Sequence, residues 1–370
     1  MKLSLKQMTD IAAAYVAENK IAVDNLAAVR DAVTGLVETI GAIFTLDTSF
    51  KDKLAYMNAE DLSYGKTVEE WQADLLLPTD FDPLGTNALK PSDPAFRPVE
   101  FSLTLGEKTF KTTERKNTYN KAVHNEGQLS EITSMIMKRL YDSKGAWDYQ
   151  IKRESLAKFI DMCFKGESGT TTIAANKDYA VNTLVTDGAN AHGIVVKPIK
   201  KDSGVVGYAD GVDKGFVVTL SLTQNVTKPI DTKTGESFIK AVKIDVEKFQ
   251  DISEGNSLNG NTLGAEEGLV LLVKQGIMPI IEVDVEAGAF NGSKVAIPTE
   301  VIVVKDFGSD THGAYAMLMD RRAVRKFNSS LIPDTDHNGE GHFDNYYIHT
   351  EDTIHISRNA AVKVYYESNE

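Results

Sequence analysis

Between Gln128 and Lys165, Leu129, Ile132, Ile136, Leu140, Trp147, Ile151, Phe159 and Cys163 recur at spacings of three and four. That period predicts a single amphipathic helix. At 1.5 Å per residue it would reach about 55 Å, well beyond the width of a small domain. Any fold for this chain must therefore be laid out along a rod. Gly145 is the weak point within the rod and the place where a bend is expected. Cys163 shares its apolar face with Phe159 and Ile160, so it reads as a buried core thiol. As the only cysteine, it allows no intrachain disulfide.

The residues before the rod have the opposite character. Prolines at 78, 83, 91, 94 and 98 follow Val68, Trp71 and the run Leu75 to Leu77. Proline at that density prevents a compact helix and predicts a long extended excursion over about 62–117. Trp71, Phe81, Phe96 and Phe101 lie on it, and apolar side chains so placed need cover. A neighbouring subunit is the economical source, which makes these four candidates for intersubunit contact. Residues 1–45 read as two helices. The first has a capping box at Ser4 and Gln7, and the second a stripe from Leu26 through Val29, Val33, Leu36 and Val37 to Ile40.

After the rod, 166–234 is rich in Gly, Thr, Asp and Val with β-alternating pieces such as Gly215–Leu220. Helices are predicted at Ser237–Ile252 and Ala265–Lys274, then strands at Met278–Val285 and Thr299–Lys305. Gly313–Arg325 is an apolar strand that turns abruptly cationic at Arg321, Arg322 and Arg325. A polar loop separates it from Asp344–Arg358, and an alternating strand, Ala360–Tyr366, comes last.

Composition excludes some classes. The formal net charge of −13 disfavours tight phosphate-backbone binding over most of the surface. No apolar stretch is long enough to span a bilayer, and Asp10 and Glu18 interrupt what could pass for a secretory signal.

The order of these pieces resembles the major capsid proteins of tailed bacteriophages, the Hong Kong 97-type fold. A strand ending in Asp320-Arg321, an aromatic-plus-Asn segment at Phe343–Tyr347, an Arg-bearing strand at Ile354–Arg358 and a closing Ala-Val strand at Ala360–Val364 carry the likeness. Gly65–Glu70 resembles the start of the family's extended loop, as in small podovirus capsids. The resemblance implies an α+β fold with five parts: an N-terminal arm (1–61), an extended E-loop (62–116), a peripheral domain with the long spine helix (117–165 and 312–358), a β-rich insertion (166–234) and an axial domain (235–311 and 359–370). It further implies an icosahedral shell of hexamers and pentamers enclosing double-stranded DNA. Portal, scaffolding or decoration proteins would be its partners, and its contact with the DNA would be non-specific. The alternatives are an encapsulin-like nanocompartment and a soluble β-rich carbohydrate-binding protein or enzyme.

No catalytic motif, cofactor site or metal site is expected. Asp334, Asp336 and Asn338, with Gly339, copy the first half of a calcium loop, but Asn345 stands where a bidentate Glu is required. Gly65-Lys66-Thr67 has Glu60 in place of the leading glycine of a phosphate loop. Arg321, Arg322 and Arg325 read as salt-bridge partners for acidic groups of a neighbouring subunit, with phosphate contact as the alternative.

Overall fold

The computed structural model describes residues 49–367, apart from 63–64, 66, 74–77, 79–80, 82, 86–95, 101, 116–125, 166–170, 182, 189–190, 228–231, 259, 263, 265–267, 282–296 and 310. The chain divides into units 1–49 and 50–370, and every element below belongs to the second. The two helices expected over 1–45 lie outside the described residues, as does Phe101.

In chain order the strands are β1 (Glu69–Ala73), β2 (Phe96–Glu100), β3 (Ser102–Thr104), β4 (Lys108–Arg115), β5 (Thr171–Thr172), β6 (Leu184–Thr186), β7 (His192–Val195), β8 (Val217–Leu220) and β9 (Thr223–Asn225). They continue with β10 (Ser253–Ser257), β11 (Gly260–Thr262), β12 (Leu269–Lys274), β13 (Glu300–Val304), β14 (Ala314–Asp320), β15 (Val324–Asn338), β16 (Phe343–Ile356) and β17 (Val362–Tyr366). Among the described residues, the helices α1 (Glu126–Lys165), α2 (Tyr208–Asp213), α3 (Thr232–Gln250) and the short α4 (Met278–Ile280) interleave with them, and Ala55–Met57 is a 3-10 turn.

The rod is present as α1, 40 residues of helix that pass through Gly145 without interruption. A Cβ at Gly145 would sit 3.5 Å from Phe50, an ordinary contact. The C-terminal half of α1 contributes Ile151, Leu156, Phe159, Ile160 and Cys163 to the larger core. Burial raises the Cys163 thiol pKa, as expected of an inert core cysteine.

That half of α1 covers one face of a five-stranded sheet of order β13-β12-β14-β17-β9, and α3 covers the other. Alternation along the strands divides the side chains between the two layers. Val270, Leu272, Met317, Met319, Val362 and Val364 face α1, whereas Leu269, Leu271, Val273, Leu318 and Tyr365 face α3. The ladder slips between Ala314 and Ala316, and there Tyr315 and Ala316 both turn toward α3.

This burial on two sides corrects two expectations. The helix expected over 265–274 is not present in its described part: Leu269–Lys274 is β12, paired in parallel with β13 and antiparallel with β14. A strand covered on both faces is apolar at every position, so it carries no period-2 signal to set against a helical one. Conversely, Met278–Ile280 is a turn of helix with Pro279 in its first turn, not the start of a strand.

The expected polar loop between the cationic turn and Asp344 is also ordered. It is the outer half of a long antiparallel hairpin in which Val324–Asn338 pairs with Phe343–Ile356. The opposite edge of β16 takes β3 near its base and β4 along its outer half. Residues 331–342 are exposed throughout, so the sequence shows no apolar alternation there.

The stretch 166–234 holds a small sheet of order β5-β6-β7-β8, capped by α2 over Ile173, Tyr179, Val185, Val195, Ile199 and Val217. Gly193 lets the layers close, since a Cβ there would lie 2.6 Å from Val217 and 2.8 Å from the Val218 carbonyl. The last strand of the stretch, β9, pairs with β17 and so belongs to the main sheet.

A strap over residues 50–62 ties the parts together. Leu54 and Met57 are fully buried in the core shared by α1 and the sheet. Lys152 donates to Asp52 at 2.5 Å. The strap also reaches β15, where Ala59 and Leu62 amides donate to the Lys326 and Asn328 carbonyls.

Candidate functional site: an exposed hairpin and its seat

The extended excursion begins and ends as an antiparallel ribbon, with Glu69–Ala73 paired to Phe96–Glu100. Trp71 is 63% exposed, and Phe81 and Leu84 farther along are each 89% exposed. Phe96 lies in β2, its backbone opposite Ala73.

The ribbon is fixed at its root by one carboxylate. Glu70 accepts from Ser357 Oγ at 2.8 Å, from Asn359 Nδ2 at 3.0 Å and contacts His355 Nε2 at 3.0 Å. Burial works against its charge, but the bonds from His355, Ser357 and Asn359 outweigh that and hold its pKa below the ordinary carboxylate value. Sequence reasoning did not find this seat. Its four residues are as far as 289 positions apart, and nothing in the spacing announces them.

The sign of the effect follows. A depressed folded pKa makes the Glu70 contribution complete above the unfolded value, 4.5, and lost as pH falls through the lower folded one. Glu70→Gln is expected to cost about 1.5–3 kcal/mol at pH 7, the range for hydrogen bonds to a charged group. The gap in denaturant midpoint between variant and parent should close as pH drops below 4.5. A gap that ignores pH contradicts this account of the seat.

Beside the root is a groove of about 410 Å³ lined by Trp71, Arg322, Arg325, His355 and Ala361, among others. The cationic turn expected to face a neighbour is engaged within the chain. Arg322 forks onto Asp320 with Nε and Nη2 at 3.1 and 3.0 Å from its two oxygens. Arg321 meets Glu300 at 2.6 Å and lies 5.5 Å from the Tyr56 ring. Arg325 lines the groove.

Asp334, Asp336 and Asn338 do not form a loop. They alternate along β15, opposite Tyr347, Asn345 and Phe343, so successive side chains are about 7 Å apart and do not converge on one ion. Among the described residues, no group of three or more His, Cys, Asp or Glu could hold a metal, and no helix is long and apolar enough to cross a membrane.

The Phi29-like phage major capsid protein family model matches residues 3–366. The major capsid protein of Bacillus phage PZA is 28% identical over 154 residues, 40% of this chain; the match spans 34% of that relative's length. Among solved structures, the capsid of Staphylococcus phage Andhra is similar with a TM-score of 0.60 at 11% identity, covering 89% of this chain and 88% of that one. A chain in the structure of head fiber and inner core protein gp22 of native bacteriophage P68 gives 0.56 at 11% identity, covering 88% and 87%. The fold is the α+β Hong Kong 97-type capsid fold. The chain belongs to the Phi29-like phage major capsid protein family.

Proposed function

We propose that this chain assembles with copies of itself, as hexamers and pentamers, into an icosahedral shell enclosing double-stranded DNA. One observation carries the reading: a ribbon anchored at its root by Glu70 leads to Phe81, 89% exposed among the described residues. Burying such a side chain against a neighbour contributes about 1.5–3 kcal/mol. Repeated around a closed shell, contacts of that size sum to a stable container. The net charge of −13 suits a wall that touches packed DNA without adhering to it. Portal, scaffolding or decoration proteins complete the list of partners, and no chemical step is assigned to the chain.

Phe81→Asp with Leu84→Asp tests the reading. Both side chains are exposed, so the folded subunit should keep its stability to within about 0.5 kcal/mol. Assembled particles should fall at least about tenfold, the consequence of losing more than 1.4 kcal/mol per contact. Undiminished assembly would remove the ribbon from the account. Particles filled with protein cargo rather than DNA would indicate a nanocompartment.

A further inference from the structure

The outer half of the long hairpin presents a sheet face on which charge is sorted by strand. Register places three residues in each row across β4, β16 and β15. The rows are Thr109–His349–Ile332, Lys111–Tyr347–Asp334, Thr113–Asn345–Asp336 and Arg115–Phe343–Asn338. Side-chain contacts in three of the rows show β4 and β16 sharing that face. Thr109 Oγ1 is 2.9 Å from His349 Nδ1, Thr113 donates to Asn345 Oδ1 at 2.7 Å, and Lys111 Nζ lies 5.2 Å from the Tyr347 ring centre. The opposite face turns to α1, where Lys108 lies 5.9 Å from the Trp147 ring and Ile348 and Thr350 are buried.

The outward face therefore has a basic flank, Lys111 and Arg115, and an acidic flank, Asp334 and Asp336. All four are exposed, on either side of a central row containing Phe343, Tyr347 and His349. The flanks stand two strand spacings apart, about 10 Å, too far to neutralise each other directly. Among the described residues, Arg115 and Asp336 enter no ion pair within the chain. At the foot of the face Ile332 is 56% exposed.

We infer that this face is a contact surface for a second copy of the chain, with the basic flank of one subunit set against the acidic flank of another. The inference rests on the shell reading above. The observation that selects a second copy is the charge pattern, because the face is complementary to itself. A half-turn about an axis parallel to β16 lays Lys111 over Asp334 and Arg115 over Asn338, one row from Asp336, and flank-to-flank repetition also sets basic flank against acidic. An axis across the strands would set like charge on like. Partly buried aromatic rings between the flanks give the contact an apolar centre, and the charges at its rim fix register.

Charge reversal in three variants of the full chain provides the test: Lys111→Glu with Arg115→Glu, Asp334→Lys with Asp336→Lys, and all four changes in one chain. Each one-sided variant sets like charges together and should lower particle yield about tenfold or more at matched concentration in low salt. The fourfold variant restores opposite flanks and should return yield to within about threefold of the unaltered chain. One-sided variants that assemble normally, or a fourfold variant no better than they are, overturn this contact while leaving the shell reading intact. Failure of the unaltered chain to assemble even with scaffolding candidates or crowding agents added overturns the shell reading and this contact with it.

Discussion

Lys326→Met is expected to destabilise the folded subunit by about 3–5 kcal/mol, the cost of removing one partner from a buried ion pair. The side chains of Lys326 and Asp352 are each 2% exposed and meet at 2.9 Å. Lys326 also lies 3.1 Å from Asp148 of α1 and donates to Asn328 at 2.7 Å. Burial disfavours the ammonium, but Asp148 and Asp352 together more than offset it and keep its pKa above the ordinary lysine value. Methionine keeps the volume of the stem and removes only the charge, leaving two carboxylates facing each other with Lys144 as remaining cation, 2.7 Å from Asp148 and 4.0 Å from Asp352. Urea unfolding of the unassembled subunit checks this. A loss below about 1 kcal/mol would show that Lys144 takes over the role. The cluster joins helix, hairpin and strap at one point, so its loss should also loosen the path from the ribbon to the body.

Phe159→Ala is the second large effect, expected at about 3–5 kcal/mol by the usual cost of a buried aromatic truncation. Phe159 is fully buried where α1 crosses the five-stranded sheet, in the cluster that holds Met317, Met319, Val362 and Val364. Those residues are clamped from the far side by α3, so the site cannot collapse easily into the space left behind. Tyr141 on the same helix is 51% exposed and supplies the control. Its replacement by Ala should stay within about 0.5 kcal/mol. Equal effects at the two positions would contradict the assignment of α1 as the sheet's cover.

Which parts of the fold could be read from sequence depends on how each residue's surroundings alternate. The rod was legible because Ile151, Phe159 and Cys163 recur with helical period and pack into one core. β12 was not, because Leu269–Val273 is buried on both faces and so has no period. The outer hairpin failed for the opposite reason, since Asp334–Asn338 is exposed on both faces and shows no apolar row. The exposed loop residues Trp71 and Phe81 were readable from prolines and aromatics alone. Their seat was not, because Glu70, His355, Ser357 and Asn359 meet only through the fold. Arg321 and Arg322 were legible as salt-bridge formers, but composition could not show that Glu300 and Asp320 of the same chain already hold them.

The measurement that bears most directly on the central claim is the size and shape of the purified, unaltered protein, by light scattering followed by electron microscopy. The shell reading predicts closed particles, or hexamers and pentamers that close when scaffolding candidates or crowding agents are added. A chain that stays a 40.5 kDa monomer under all of these conditions contradicts it.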